Sequence, residues 1–100
     1  MKRRLVTFNM ATYQEREQHL QEVVESILPQ CDLLRIYLND YGAIPKYLKH
    51  PKIHYHKGED IKDTGKFYWA DKIRGEYYFT ADDDLIYAPG YASKHIAALC

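Results

Sequence analysis

One hundred residues allow one domain with a modest core. Fourteen lysines and arginines balance fourteen acids, which excludes the broad cationic face that tracks a nucleic-acid backbone and makes nucleic acid an unexpected partner. A small anion held by a few groups in one place remains compatible with that balance.

No apolar run approaches the roughly 20 residues of a membrane span. The basic start Met1-Lys2-Arg3-Arg4 is followed by an apolar stretch that stops at Asn9, too short for a signal peptide. Lys2, Arg3 and Arg4 can meet an anionic membrane surface peripherally, or can be a solvated chain end. Cys31 and Cys100 form no spaced pair and fit reduced thiols in a cytoplasmic protein. Ten tyrosines supply flat, half-polar surface suited to a groove that stacks rings.

In chain order, Leu5-Val6-Thr7-Phe8 is a β-prone run ending at Asn9. Thr12 followed by Glu15 has the form of a capping box and predicts a helix start there. Leu20, Val23, Val24, Ile27 and Leu28 then make one apolar stripe at helical spacing, and Pro29 ends it. Leu33 to Leu38 reads as a buried strand, left through the turn Asn39-Asp40-Tyr41-Gly42. Pro45 to Leu48 suits one helical turn, and Ile53-His54-Tyr55-His56 alternates as a third strand. Lys66 to Arg74 suits a helix closed by Gly75. Tyr77 to Ala81 is a fourth strand running into Asp82-Asp83-Asp84, and Pro89 opens a last helix through about Leu99.

Strands alternating with helices predict an α/β fold, a mainly parallel sheet flanked by helices. Ligands of such sheets bind at the carboxyl ends of the strands, where strand order reverses. The expected rim therefore carries Ala11-Thr12-Tyr13, Asn39-Asp40 and the three aspartates.

Three adjacent carboxylates repel one another by about 1–4 kcal/mol per pair near a surface. A divalent cation relieves that repulsion, and Mg²⁺ or Mn²⁺ favours one or two carboxylates plus phosphate oxygens. The competing reading is a solvated acidic turn before the last helix, although capping needs only one acid. Tyr13 can stack on a base or cover the sheet edge. Asp40 can accept a hydrogen bond from a base imide or build an Asx turn. Lys66 can reach a diphosphate or stand as a surface lysine at a helix start. His54 and His56 share one side of a strand without a third metal ligand spaced to join them. Phe67, Tyr68 and Trp69 form an aromatic run that packing explains at least in part.

The run from Gly65-Lys66-Phe67-Tyr68-Trp69 to Gly75 and on through Tyr77-Tyr78-Phe79-Thr80-Ala81-Asp82-Asp83-Asp84-Leu85-Ile86-Tyr87-Ala88-Pro89-Gly90-Tyr91 resembles the donor-binding part of a family 2 glycosyltransferase. Thr12-Tyr13 after the first strand and Ser26-Ile27-Leu28-Pro29-Gln30 at the end of the first helix match as well. The resemblance implies a Rossmann-like GT-A nucleotide-binding half over residues 1–100, a strand ending in a DxD-type motif, and metal-dependent transfer from a UDP-sugar to an acceptor hydroxyl. It implies that Thr12 and Tyr13 border the uracil, that Asp40 hydrogen-bonds it, and that Lys66 sits near the base or diphosphate. Asp82 or Asp83 would bind the ribose and Asp84 the metal, Mn²⁺ or Mg²⁺. Ala11 and Asn39 depart from the family pattern, where a hydroxyl residue and a second acid are frequent.

Members of the family continue well beyond this length, their later half supplying the acceptor pocket and the catalytic base. This chain is therefore expected to be incomplete at its C-terminal side, or to cover an exposed sheet edge by self-association. Two rival readings are a non-catalytic nucleotide- or metal-binding module and a metal-dependent phosphoryl-transfer enzyme. The latter would favour a Gly-rich phosphate loop, which the scattered glycines do not form.

Overall fold

The computed structural model describes residues 5–69, 77–83 and 85–99. Its sheet has four strands: β1 (Val6–Tyr13), β2 (Leu33–Asn39), β3 (Ile53–Gly58) and β4 (Tyr77–Ala81). They lie in the order β3-β2-β1-β4, and every neighbouring pair is parallel. Helix α1 (Glu17–Ile27) links β1 to β2, and α2 (Tyr91–Leu99) follows β4. The α/β class expected from the alternation of strand and helix patterns is the one observed.

Strand alternation sorts the residues onto two faces. Phe8 and Met10 of β1 stand level with Leu34 and Ile36 of β2, and all four are fully buried. Against them pack Leu20, Val23, Val24 and Ile27, the stripe of α1. Burial of each such side chain contributes about 1.5–3 kcal/mol, so this layer is the main hold on the fold. Phe79 of β4 stacks on Phe8 with ring centroids 4.9 Å apart, extending the layer under α2. The opposite face is more polar: Thr7 and Asn9 are fully buried there and donate to the carbonyls of Tyr77 and Phe79. A 3-10 helix, Lys62–Phe67, lies over this face against β1 and β2.

Two expected boundaries are corrected. The first strand does not stop at Asn9 but runs to Tyr13, and Thr12 caps no helix. Its hydroxyl is buried, 3.2 Å from the Tyr41 hydroxyl, and the chain reaches α1 through a 3-10 turn at Gln14–Arg16. A polar residue in a central parallel strand can be satisfied sideways, so polarity alone does not end the strand. Likewise Lys66 does not begin a helix; it lies near the end of the Lys62–Phe67 segment, and Tyr68–Trp69 continue as a turn. The rest of the helix expected to Arg74 and Gly75 lies outside the described residues. Pro29 behaves as expected: α1 ends at Ile27 and passes into a 3-10 turn, Leu28–Gln30.

Gly65 lies directly on Tyr37, where an added Cβ would stand 2.8–2.9 Å from the phenol ring and its Cβ. Gly65→Ala should therefore cost about 1–3 kcal/mol, read as a lower urea midpoint. Cys31 is buried, and that burial lifts its thiol from 9.0 to about 11, with Asp32 adding and Lys52 opposing. The native chain should leave this thiol unreactive to a thiol reagent at about pH 8 until denaturant is added. Because the folded state holds the proton more tightly, its contribution to stability is intact below about pH 9. It should be lost as pH rises through about 11, seen as a falling unfolding midpoint.

Candidate functional site

The strand order reverses at β1: the chain adds β2 and β3 on one side, then returns to place β4 on the other. Ligands of parallel sheets bind at such a reversal, which here lies at the carboxyl ends of β1 and β4. The ladder between these strands ends at the pair Met10–Ala81, while β1 continues to Tyr13. Tyr13 therefore stands beyond the start of the acidic turn that leaves β4.

Of the two described acids of that turn Asp82 is the open one, with 52% of its side chain exposed. Its backbone N–H donates to the Tyr87 hydroxyl at 2.9 Å. Lys66 brings its ammonium to 4.0 Å from the Asp82 carboxylate and 5.7 Å from the centre of the Phe67 ring. An ion pair at that distance, with Asp82 half exposed, contributes little to stability. It does place a cation and an anion together at the reversal point. The Lys66 carbonyl also accepts a hydrogen bond from the Tyr78 hydroxyl, which ties the 3-10 helix to β4. Asp83 turns inward and is only 3% exposed. Asp84 lies outside the described residues.

The remaining predicted residues divide. Tyr13 is half-buried at the end of β1, and its carbonyl accepts the Tyr41 hydroxyl at 3.1 Å. Thr12 is fully buried toward the α1 side and serves the same tyrosine. Asp40 is exposed in the left-handed region, φ 52°, with its N–H donated to the Gly58 carbonyl. That bond turns Asp40 toward β3, so β1 separates it from the acidic turn. Lys66 and Asp82 are thus brought together at the reversal point, while Tyr13 pairs with Asn39, the neighbour of Asp40, on the β2 side of β1.

Asn39 organises the rim, a role that sequence reasoning missed. Its Nδ2 donates to the Thr12 and Lys62 carbonyls at 3.2 Å each, and its Oδ1 accepts the Ile61 N–H at 2.8 Å. One buried amide therefore joins β1, β2 and the start of the 3-10 helix that carries Lys66. The available signal was an amide side chain at the end of a buried strand, where a backbone needs both donor and acceptor. Tyr37 supports the same helix from below. Burial, with Glu59 nearby, raises its phenol above the ordinary value, so it stays protonated and donates to the Glu59 carbonyl at 2.9 Å. His54 is exposed, and His56 is partly covered by Tyr68, whose ring stacks on it with centroids 4.5 Å apart.

Among the described residues no three His, Cys, Asp or Glu side chains gather as a metal-holding group. The donor chemistry at the rim nevertheless suits a hard cation shared with phosphate, which needs few protein carboxylates. Asp82 offers one that is accessible. Comparison of the chain with protein-family models and with curated proteins finds no match. No helix among the described residues is long and apolar enough to cross a membrane.

Replacing Asn39 by Ala would strand the Thr12 and Lys62 carbonyls and the Ile61 N–H. We expect a loss of about 1–3 kcal/mol by urea denaturation, with faster amide exchange at Ile61.

Proposed function

We propose that the β1/β4 rim binds the nucleotide diphosphate of a UDP-sugar and that the chain is the donor-binding part of a family 2 glycosyltransferase. The observation that carries the proposal is the strand order β3-β2-β1-β4, with Tyr13 closing β1 and Asp82 leaving β4 beside Lys66. Such a reversal point favours a nucleotide, and an ammonium paired with one exposed carboxylate suits a phosphate ligand whose own charge is shared with a cation.

In this reading Tyr13 borders the base, with Thr12 holding the strand end in place through Tyr41. Lys66 approaches the diphosphate. Asp82, being the accessible acid, is favoured over the buried Asp83 for the ribose, and Asp84 is assigned to Mn²⁺ or Mg²⁺. The metal would supply neutralisation of charge on the departing UDP. Asp40, on the far side of β1, would reach the base only through a ligand that spans the strand end. The carboxylate that deprotonates the acceptor hydroxyl is assigned to no residue of this chain, so binding rather than turnover is the property expected of it. A cytoplasmic location belongs to the same proposal, supported by the free, buried thiol of Cys31.

Calorimetric titration with UDP, with and without Mn²⁺, tests the reading. Metal-dependent binding weakened about tenfold or more, at least 1.4 kcal/mol, by Asp82→Asn or Asp84→Ala is the expected result. Equal affinity for every nucleoside diphosphate, or binding indifferent to metal and to both substitutions, would sink it.

A further inference from the structure

The neutral total conceals a segregation of charge. Between Tyr41 and Gly58 the chain has no acid, yet it carries Lys46, Lys49, Lys52 and Lys57 together with His50, His54 and His56. This span leaves β2, makes the 3-10 turn Lys46–Leu48 and becomes β3, an outer strand paired with β2 alone among the described residues. Lys46, Lys49, His50, His54, Tyr55 and Lys57 are exposed, while Leu48 and Ile53 between them are buried in the core.

Lysines on an outer strand commonly guard it against pairing with another chain. That explanation reaches Lys57 and Lys52, whose carbonyl accepts the Leu34 N–H at 2.7 Å, but Lys46, Lys49 and His50 precede the strand and guard no ladder. They stand where the chain turns into β3, at the end of the sheet opposite the Tyr13–Asp82 rim. The Lys52 ammonium donates to the Leu28 carbonyl at 3.0 Å, which fixes its charge there without neutralising it.

The chemistry of the cluster selects its partner. Among the described residues it has no exposed arginine, since Arg35 is only 8% exposed on β2, so it lacks there the planar fork that reads phosphates or guanines bidentately. A neutral chain is also poorly matched to a nucleic-acid polyanion. Lysine ammonium groups act as compact, strongly hydrated point charges, sufficient for a surface that offers many shallow anionic sites. Exposed Tyr55 adds a ring with a polar tip, a side chain that favours a lipid–water boundary.

We propose that the Lys46–Tyr55 edge docks on an anionic phospholipid surface and leaves the Tyr13–Asp82 rim open to solvent. The proposal holds whether or not the rim binds a nucleotide. Co-sedimentation with phosphatidylcholine vesicles, with and without phosphatidylserine, tests it on the full chain. Binding should require phosphatidylserine and fall as salt is raised. K46Q/K49Q should lower partitioning by about fivefold per lysine. K46R/K49R should retain it, as should K94Q on α2, with unfolding midpoints unchanged in all three. Undiminished partitioning of K46Q/K49Q overturns the proposal. So does loss of binding only when Lys2, Arg3 and Arg4 are replaced, or tighter binding to duplex DNA than to the vesicles.

Discussion

Parallel pairing of β1 with β2 on one side and β4 on the other is the constraint from which the rest follows. Parallel neighbours cannot be joined by a tight turn, so each return of the chain must cross a face of the sheet. One crossing is α1, which covers Phe8, Met10, Leu34 and Ile36; another carries the Lys62–Phe67 segment over the polar face. Since all strands point one way, their carboxyl ends share one rim, and the reversal at β1 separates the last turns of β1 and β4. The meeting of Lys66 with Asp82 is a result of that topology.

The fold was legible where a periodic pattern met a buried face. The stripe from Leu20 to Ile27 could be satisfied only by a helix lying on a sheet, and Tyr77 to Ala81 has the bounds read for it. It was illegible where a polar side chain found its partner across the sheet. Thr12 and Asn39 carry turn and cap chemistry in their composition, yet tertiary contacts with Tyr41, Ile61 and Lys62 claim that chemistry instead. Local sequence cannot announce a partner that lies a strand away.

The rim shows the same division. The strand-to-acid junction was legible because an apolar run ending in three carboxylates is unusual on any account. Which acid faces outward was not, because that depends on the hydrogen bond from Asp82 to Tyr87. Asp40 was legible as a turn residue, and its left-handed backbone accounts for the turn without a ligand. The charge segregation could have been read directly, but a zero total masks a local excess unless the sign is followed along the chain.

Tyr87 joins the interior to the rim. Its ring packs edge-on against Phe8 and Tyr91, its N–H reaches the Ser26 hydroxyl at the end of α1, and its phenol receives the N–H of Asp82. The acidic turn therefore hangs from a lever whose fulcrum is the aromatic packing beneath it. A change that tilts that ring, even one deep in the sheet, would disturb the hydrogen bond that holds the Asp82 backbone. One side chain thus links the aromatic interior, the end of α1 and the start of the acidic turn.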